Sequence, residues 1–138
     1  MIPRPATVEM LRRLVAFDTT SRDSNLALIH WVRDYLAEHG IAARLVHDES
    51  GRKANLFATI GPKNGAANGN GARAGIVLSG HTDVVPIDGQ EWTSAPFAIT
   101  ERDGRLYGRG TCDMKGFIAV ALALVPDCLL YTSPSPRD

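Results

Sequence analysis

The sequence predicts an α/β layered domain, and three observations point there. Two amphipathic helix patterns open the chain, short strand-like runs follow, and a helix rich in small apolar residues comes after a hairpin signal. At 138 residues the chain has the length of a single domain able to bury a sizeable core. Hydrophobic residues make up 44% and charged residues 22%, a balance that argues against disorder or a fibrous repeat.

In "ATVEMLRRLVAF" the apolar positions Val8, Leu11, Leu14 and Val15 recur at helical spacing, with Glu9, Arg12 and Arg13 mostly opposite. In "DSNLALIHWVRDYLAEHG" the residues Asp23 and Ser24 are cap candidates, Leu28, Val32, Tyr35 and Leu36 form an apolar face, and Gly40 is a stop signal. His30 and His39 fall on this helix and are read as surface or core-edge residues.

Three strand signals follow: Ala43 to Asp48, Ala54 to Gly61, and the apolar "GIVLSG" from Gly75 to Gly80, the last expected to be buried on both faces. Between the second and third, "GPKNGAANGNGARAG" reads as a surface loop whose glycines do not match a phosphate-binding pattern. An Asp103-Gly104 turn between Ala98–Glu101 and Arg105–Tyr107 predicts a hairpin. The run "DMKGFIAVALALVP" predicts a helix closed by Pro126.

Fifteen Lys and Arg balance fifteen Asp and Glu, so no global charge draws the chain to phosphate backbones or anionic lipid. Neither nucleic acid nor a membrane is expected as a partner. The first residues lack the continuous apolar region of a secretory signal, and the longest apolar run falls short of the roughly 20 residues that span a bilayer. A cytoplasmic location is expected. Cys112 and Cys128 have no CxxC spacing and no pairing with histidines, so each is read as a reduced small side chain.

Two clusters carry chemistry. In "SGHTDVVP", His81 and Asp83 stand at i and i+2 just past the third strand, which in extended geometry projects both to one side at the carboxyl end of a strand. That arrangement suits a metal-binding imidazole with a carboxylate that orients it, although a His-x-Asp pair alone is read as a hydrogen-bonded loop pair. In "GRGTCDMKGF", Asp113 follows a glycine-bracketed turn and precedes the apolar helix, where by itself it would be read as a helix cap. Trp92, Pro96 and Phe97 are read as loop anchors, and Arg105 and Arg109 as surface or loop-stabilising residues.

Taken together, "LSGHTDVVP", the "W" and "PF" of "EWTSAPF", and "DGRLYGRGTCDMKGFIA" resemble, in order and spacing, the first metal-site half of the dinuclear zinc peptidase and deacylase family. The resemblance runs from about Pro5 to about Pro126. Within the family, "FDTTSRDSNLALI" and "GTCDMKGF" resemble the amino-acid deacetylase branch more than the desuccinylase branch.

The resemblance implies a central mixed sheet with helices on both faces, of which residues 1–127 supply the N-terminal part. It also implies two divalent metal ions, zinc or cobalt, in a full-length parent. His81 becomes a ligand of one metal, Asp113 the carboxylate bridging both, and Asp83 the catalytic-site group that orients His81. It further implies a non-proline cis peptide at Asp113–Met114, an N-acyl amino acid substrate, and a homodimeric parent.

The family pattern also calls for an adjacent Glu-Glu pair, another acidic ligand and a late histidine. After Asp113 this chain has no glutamate and no histidine. The expectation is an N-terminal fragment of a metal-dependent amidohydrolase, inactive by itself. A second reading, from a different class, is a short non-enzymatic protein that binds a metal or a partner. Residues 128–138, "CLLYTSPSPRD", resemble the in-frame translation of a sequencing-library adapter and are expected to be a non-native tail.

Overall fold

In the computed structural model, which describes residues 4–61 and 76–132, α1 (Pro5–Val15) forms with Pro5 in its first turn, where a missing N–H costs nothing. It buries Met10, Leu11, Leu14 and Val15, the predicted stripe with Met10 added and Val8 at its half-buried margin. The second helix, α2 (Leu26–Glu38), buries Leu28, Ile29, Val32 and Leu36.

Its start differs from the expected one. Asn25 occupies the cap position, yet its amide is turned away to grip the backbone of Ala54, with Nδ2 donating to Ala54 O and Oδ1 accepting from Ala54 N, each at 3.0 Å. Ser24 Oγ instead accepts from Leu26 N at 3.2 Å, and Asp23 belongs to the preceding turn, its N–H on Thr20 O. The helix ends at Gly40 as predicted. Gly40 has φ +71, Ile41 N–H bonds Leu36 O, and Gly40 N–H bonds Ala37 O, the paired closure that only a left-handed residue allows without strain.

β1 (Ala43–His47) and β2 (Ala54–Ala58) pair antiparallel, Leu45 opposite Leu56, with their inner residues packed on the core under α2. β3 (Thr100–Arg102) and β4 (Arg105–Tyr107) form the predicted hairpin. Asp103 and Gly104 both have positive φ, +53 and +68, as a two-residue turn matched to strand twist requires.

The apolar run before His81 does not become a strand. Residues 76–80 are extended and uncovered, with Ile76 90% and Val77 85% exposed. Among the described residues no strand lies beside them to take their backbone hydrogen bonds, and an extended segment becomes a strand only through a partner. For the same reason the described sheets are two separate two-stranded ladders rather than one central sheet. Among the described residues parallel pairing is confined to a single bridge between Thr20 and Val84.

The apolar C-terminal run folds as α3 (Gly116–Ala123) followed by α4 (Val125–Thr132). Pro126 therefore does not close the helix. It stands in the first turn of the next one, where its fixed φ is favourable. α4 crosses the boundary drawn at residue 127, and Leu129 packs partly against the core. The two Ser-Pro steps and most of the glycine-rich loop lie outside the described residues.

α1 lies along α3, and Tyr35 Oη donates to Leu122 O at 3.0 Å to tie α2 to the same helix. Leu14, Val15, Leu28 and Ala119 are fully buried where these elements meet. No helix among the described residues is long and apolar enough to cross a membrane. Leu14→Ala is expected to cost about 2–5 kcal/mol, whereas Val46→Ser, on the half-exposed outer face of β1, should stay within about 0.5 kcal/mol. Denaturant titration of the two variants checks the contrast.

Candidate metal centre

The sequence brings His81 and Asp113 from 32 residues apart to one cleft. Residues 82–84 are laid beside the α1–α2 connection by Val84 N–H on Thr19 O at 3.0 Å, Ser21 N–H on Val84 O at 2.9 Å and Thr19 Oγ1 on Thr82 O at 2.6 Å. The opposite wall is the turn Thr111–Lys115. It is entered through Gly110 at φ +81, where a Cβ would sit 2.6 Å from Val84 Cγ1, so glycine is required there.

Asp113 and Met114 have non-helical backbone angles and Asp113 makes no cap bond, so the carboxylate is not the helix cap that the local pattern alone suggests. It points instead at His81. The Asp113–Met114 peptide is cis, the geometry that the family resemblance implies.

His81 Nε2 lies 2.9 Å from Asp113 Oδ1. His81 Nδ1 lies 3.0 Å from Asp83 O and 3.2 Å from Asp83 Oδ1. Because the carbonyl can only accept, the proton on Nδ1 is fixed there, and in the neutral ring Nε2 presents a lone pair toward a carboxylate oxygen. Two facing lone pairs need a proton or a cation between them. The hydrogen bond to Asp113, with smaller contributions from Asp83, raises the His81 pKa above its usual value against the opposing effect of burial.

Asp83 is held in turn. Ser21 Oγ donates to Asp83 Oδ2 at 2.8 Å, and this bond, with the charge of His81, keeps the Asp83 carboxyl below its usual pKa against a smaller opposing effect of burial. Ser21 was not singled out by its residue type, although it lies inside "FDTTSRDSNLALI". Beneath the turn, Lys115 is fully buried with Nζ on Phe17 O at 2.7 Å, and burial pushes its pKa down to about 8 against the pull of Asp18.

The cleft between these walls has a volume of about 260 Å³ and includes Ser21, His81, Asp83, Cys112 and Asp113. An imidazole nitrogen and a carboxylate oxygen, converging and solvent-accessible, are a donor set suited to a divalent metal ion. Among the described residues no three His, Cys, Asp or Glu side chains gather as a metal cage. His30 and His39 stay on α2, His39 Nδ1 bonding Tyr35 O at 2.9 Å, and Cys112 and Cys128 are both free and exposed.

In metal-free chain, Ser21→Ala is expected to raise the Asp83 titration midpoint toward the ordinary carboxylate value. A depressed carboxyl pKa stabilises the fold above the unfolded pKa and loses that contribution as pH falls, so the variant should also lose less stability on acidification. Carboxyl ¹³C titration by NMR checks the shift, and an unchanged midpoint refutes the Ser21–Asp83 link.

Residues 77–129 match the model described as Peptidase family M20/M25/M40. Acetylornithine deacetylase of Proteus mirabilis (strain HI4320) is 38% identical over 133 residues, which cover 91% of this chain and 32% of the relative. Acetylornithine deacetylase of Myxococcus xanthus is 45% identical over 121 residues, 86% of this chain and 30% of the relative. The chain thus spans about a third of the length of the curated relatives it matches. Human carnosine dipeptidase 1 shares the fold, with a TM-score of 0.68 at 24% identity over 92% of this chain and 29% of that one. The stretch that carries His81, Asp83 and Asp113 thus lies within the residues similar to peptidase family M20/M25/M40.

Proposed function

We propose that this chain contributes the first half of the metal site of an N-acyl amino acid amidohydrolase, and that the full-length protein hydrolyses N-acetylornithine to ornithine and acetate, supplying arginine synthesis. The observation that carries the reading is the 2.9 Å approach of His81 Nε2 to Asp113 Oδ1, with the ring held from behind by Asp83. The choice of substrate is supported by relatives named acetylornithine deacetylase.

In this reading His81 would hold one metal and Asp113 would be shared between both. Asp83 accepts the Nδ1 proton, which fixes the tautomer and raises the basicity of Nε2. Two divalent ions, zinc or cobalt, supply Lewis acidity and a water acidified to near neutral pH when bound there. The cleft admits an acyl group beside them. The general base and the remaining ligands are read as belonging to the rest of the full-length protein, and this chain by itself is proposed to be inactive. The parent is read as a cytoplasmic homodimer, as the family resemblance implies.

The full-length protein, loaded with zinc or cobalt, is expected to release ornithine from N-acetylornithine faster than it cleaves N-succinyl-diaminopimelate. Asp83→Asn should lower metal affinity or activity by about 10–100-fold. A preference for the succinylated substrate would overturn the assignment. Separately, the 138-residue chain should show no metal-dependent hydrolysis above background, and turnover by it would refute the division of the site.

A further inference from the structure

We propose that Arg109 is a positioning residue for the His81–Asp113 pair, fastening the 86–96 loop to the turn that presents Asp113. The inference rests on reading Asp113 as a metal ligand.

Arg109 sits between two glycines whose backbones are pressed against the body of the protein. A Cβ on Gly108 would lie 3.1 Å from Val15 Cγ1, and one on Gly110 would collide with Val84 Cγ1. Its backbone N–H donates to Pro96 O at 2.6 Å, at the far end of the loop. The guanidinium reaches the near end: Nη2 bonds Gln90 Oε1 and lies 3.5 Å from Pro86 O.

The loop closes around this group. Cζ of Arg109 stands 4.9 Å from the centre of the Trp92 ring, Trp92 Nε1 donates to the same Gln90 Oε1 at 3.3 Å, and Gln90 Nε2 donates to Pro86 O at 3.3 Å. A planar cation that both stacks on an aromatic ring and donates in a fork is a job for arginine and not for lysine. The other tie of the loop, Arg22 to Asp88, is an exposed ion pair and contributes little.

Arg109 also lines the cleft, and the chain runs from it through Thr111, whose N–H and Oγ1 both bond Gly108 O, directly to Asp113. Among the described residues Arg109 Nε is buried without an acceptor, so the guanidinium is held by its Nη2 contacts and the Trp92 ring. The loop and the turn are thus two ends of one clamp. Freeing the guanidinium releases both.

Hydrogen–deuterium exchange on the full 138-residue chain, without metal or substrate, tests this with Arg109→Met, Gln90→Ala and Gln90→Glu. Arg109→Met is expected to speed exchange about tenfold in both 86–96 and 111–115 while leaving α1 and α2 unchanged. Gln90→Ala should act in the same two segments, and Gln90→Glu, which keeps an acceptor for the guanidinium, should restore slow exchange. Acceleration confined to 86–96 overturns the proposal, as does equal behaviour of the two Gln90 variants. If Arg109→Met loosens α1 and α2 as well, the Gln90 pair decides by the same criteria. Since no metal or substrate enters the measurement, failure here is distinct from failure of the hydrolase reading, which is judged by turnover.

Discussion

The parallel pairing of Thr19–Ser21 with Thr82–Val84 is the constraint on which the site depends. Among the described residues no strand lies beside residues 76–80 to fix the direction in which His81 leaves the backbone. The pairing does so instead, with Thr19, Thr20 and Val84 all buried at the contact. The same connection anchors the other wall, because Lys115 crosses the interior to place its ammonium on Phe17 O. Both motif-bearing segments therefore hang from the few residues that join α1 to α2. Burying a lysine is costly, and here the ammonium is offset by the Phe17 carbonyl and by the nearby charge of Asp18.

At the site itself the ion pairs are too exposed to account for stability. His81 and Asp83 are about half exposed and Asp113 is 85% exposed, so the attraction among them is largely screened by water. Their order comes from directional bonds, Ser21 to Asp83 to His81, each fixing the next group. A chain of this kind places one nitrogen lone pair in space at little cost to the fold. It suits a group that must meet a cation more than one that must hold the protein together.

Where local physics decided the outcome, the sequence could be read. The stripe of α1, the closure of α2 at Gly40 and the Asp103-Gly104 hairpin depend on spacing and on residues that tolerate positive φ, and all three appear as expected. The place of His81 and Asp113 in one cleft was legible from the two motifs taken together, and neither motif was informative alone. What could not be read was decided by distant partners. Asn25 gives up its capping role because Ala54 needs two backbone bonds satisfied. Pro126 starts a helix instead of ending one because the chain turns at Leu124. Ser21, Lys115 and Arg109 act through groups remote in sequence, and a serine, a lysine or an arginine carries no spacing signal for that.

The failed strand at 76–80 and the uneven surface of α3 have one explanation. α3 is apolar nearly all round, with Ala119 and Leu122 buried against the body and Phe117, Val120 and Leu124 exposed on other sides. A helix of that composition is normally covered on more than one face. Ile76, Val77 and Leu78 similarly show apolar side chains to solvent on an extended backbone whose hydrogen-bonding groups lack a neighbouring strand. Gly80 brings these two surfaces together, since a Cβ there would come within 3.0 Å of Met114 Cε and 3.4 Å of Ile118 Cγ1. The extended run and the helix are thus already docked at one end and bare along the rest.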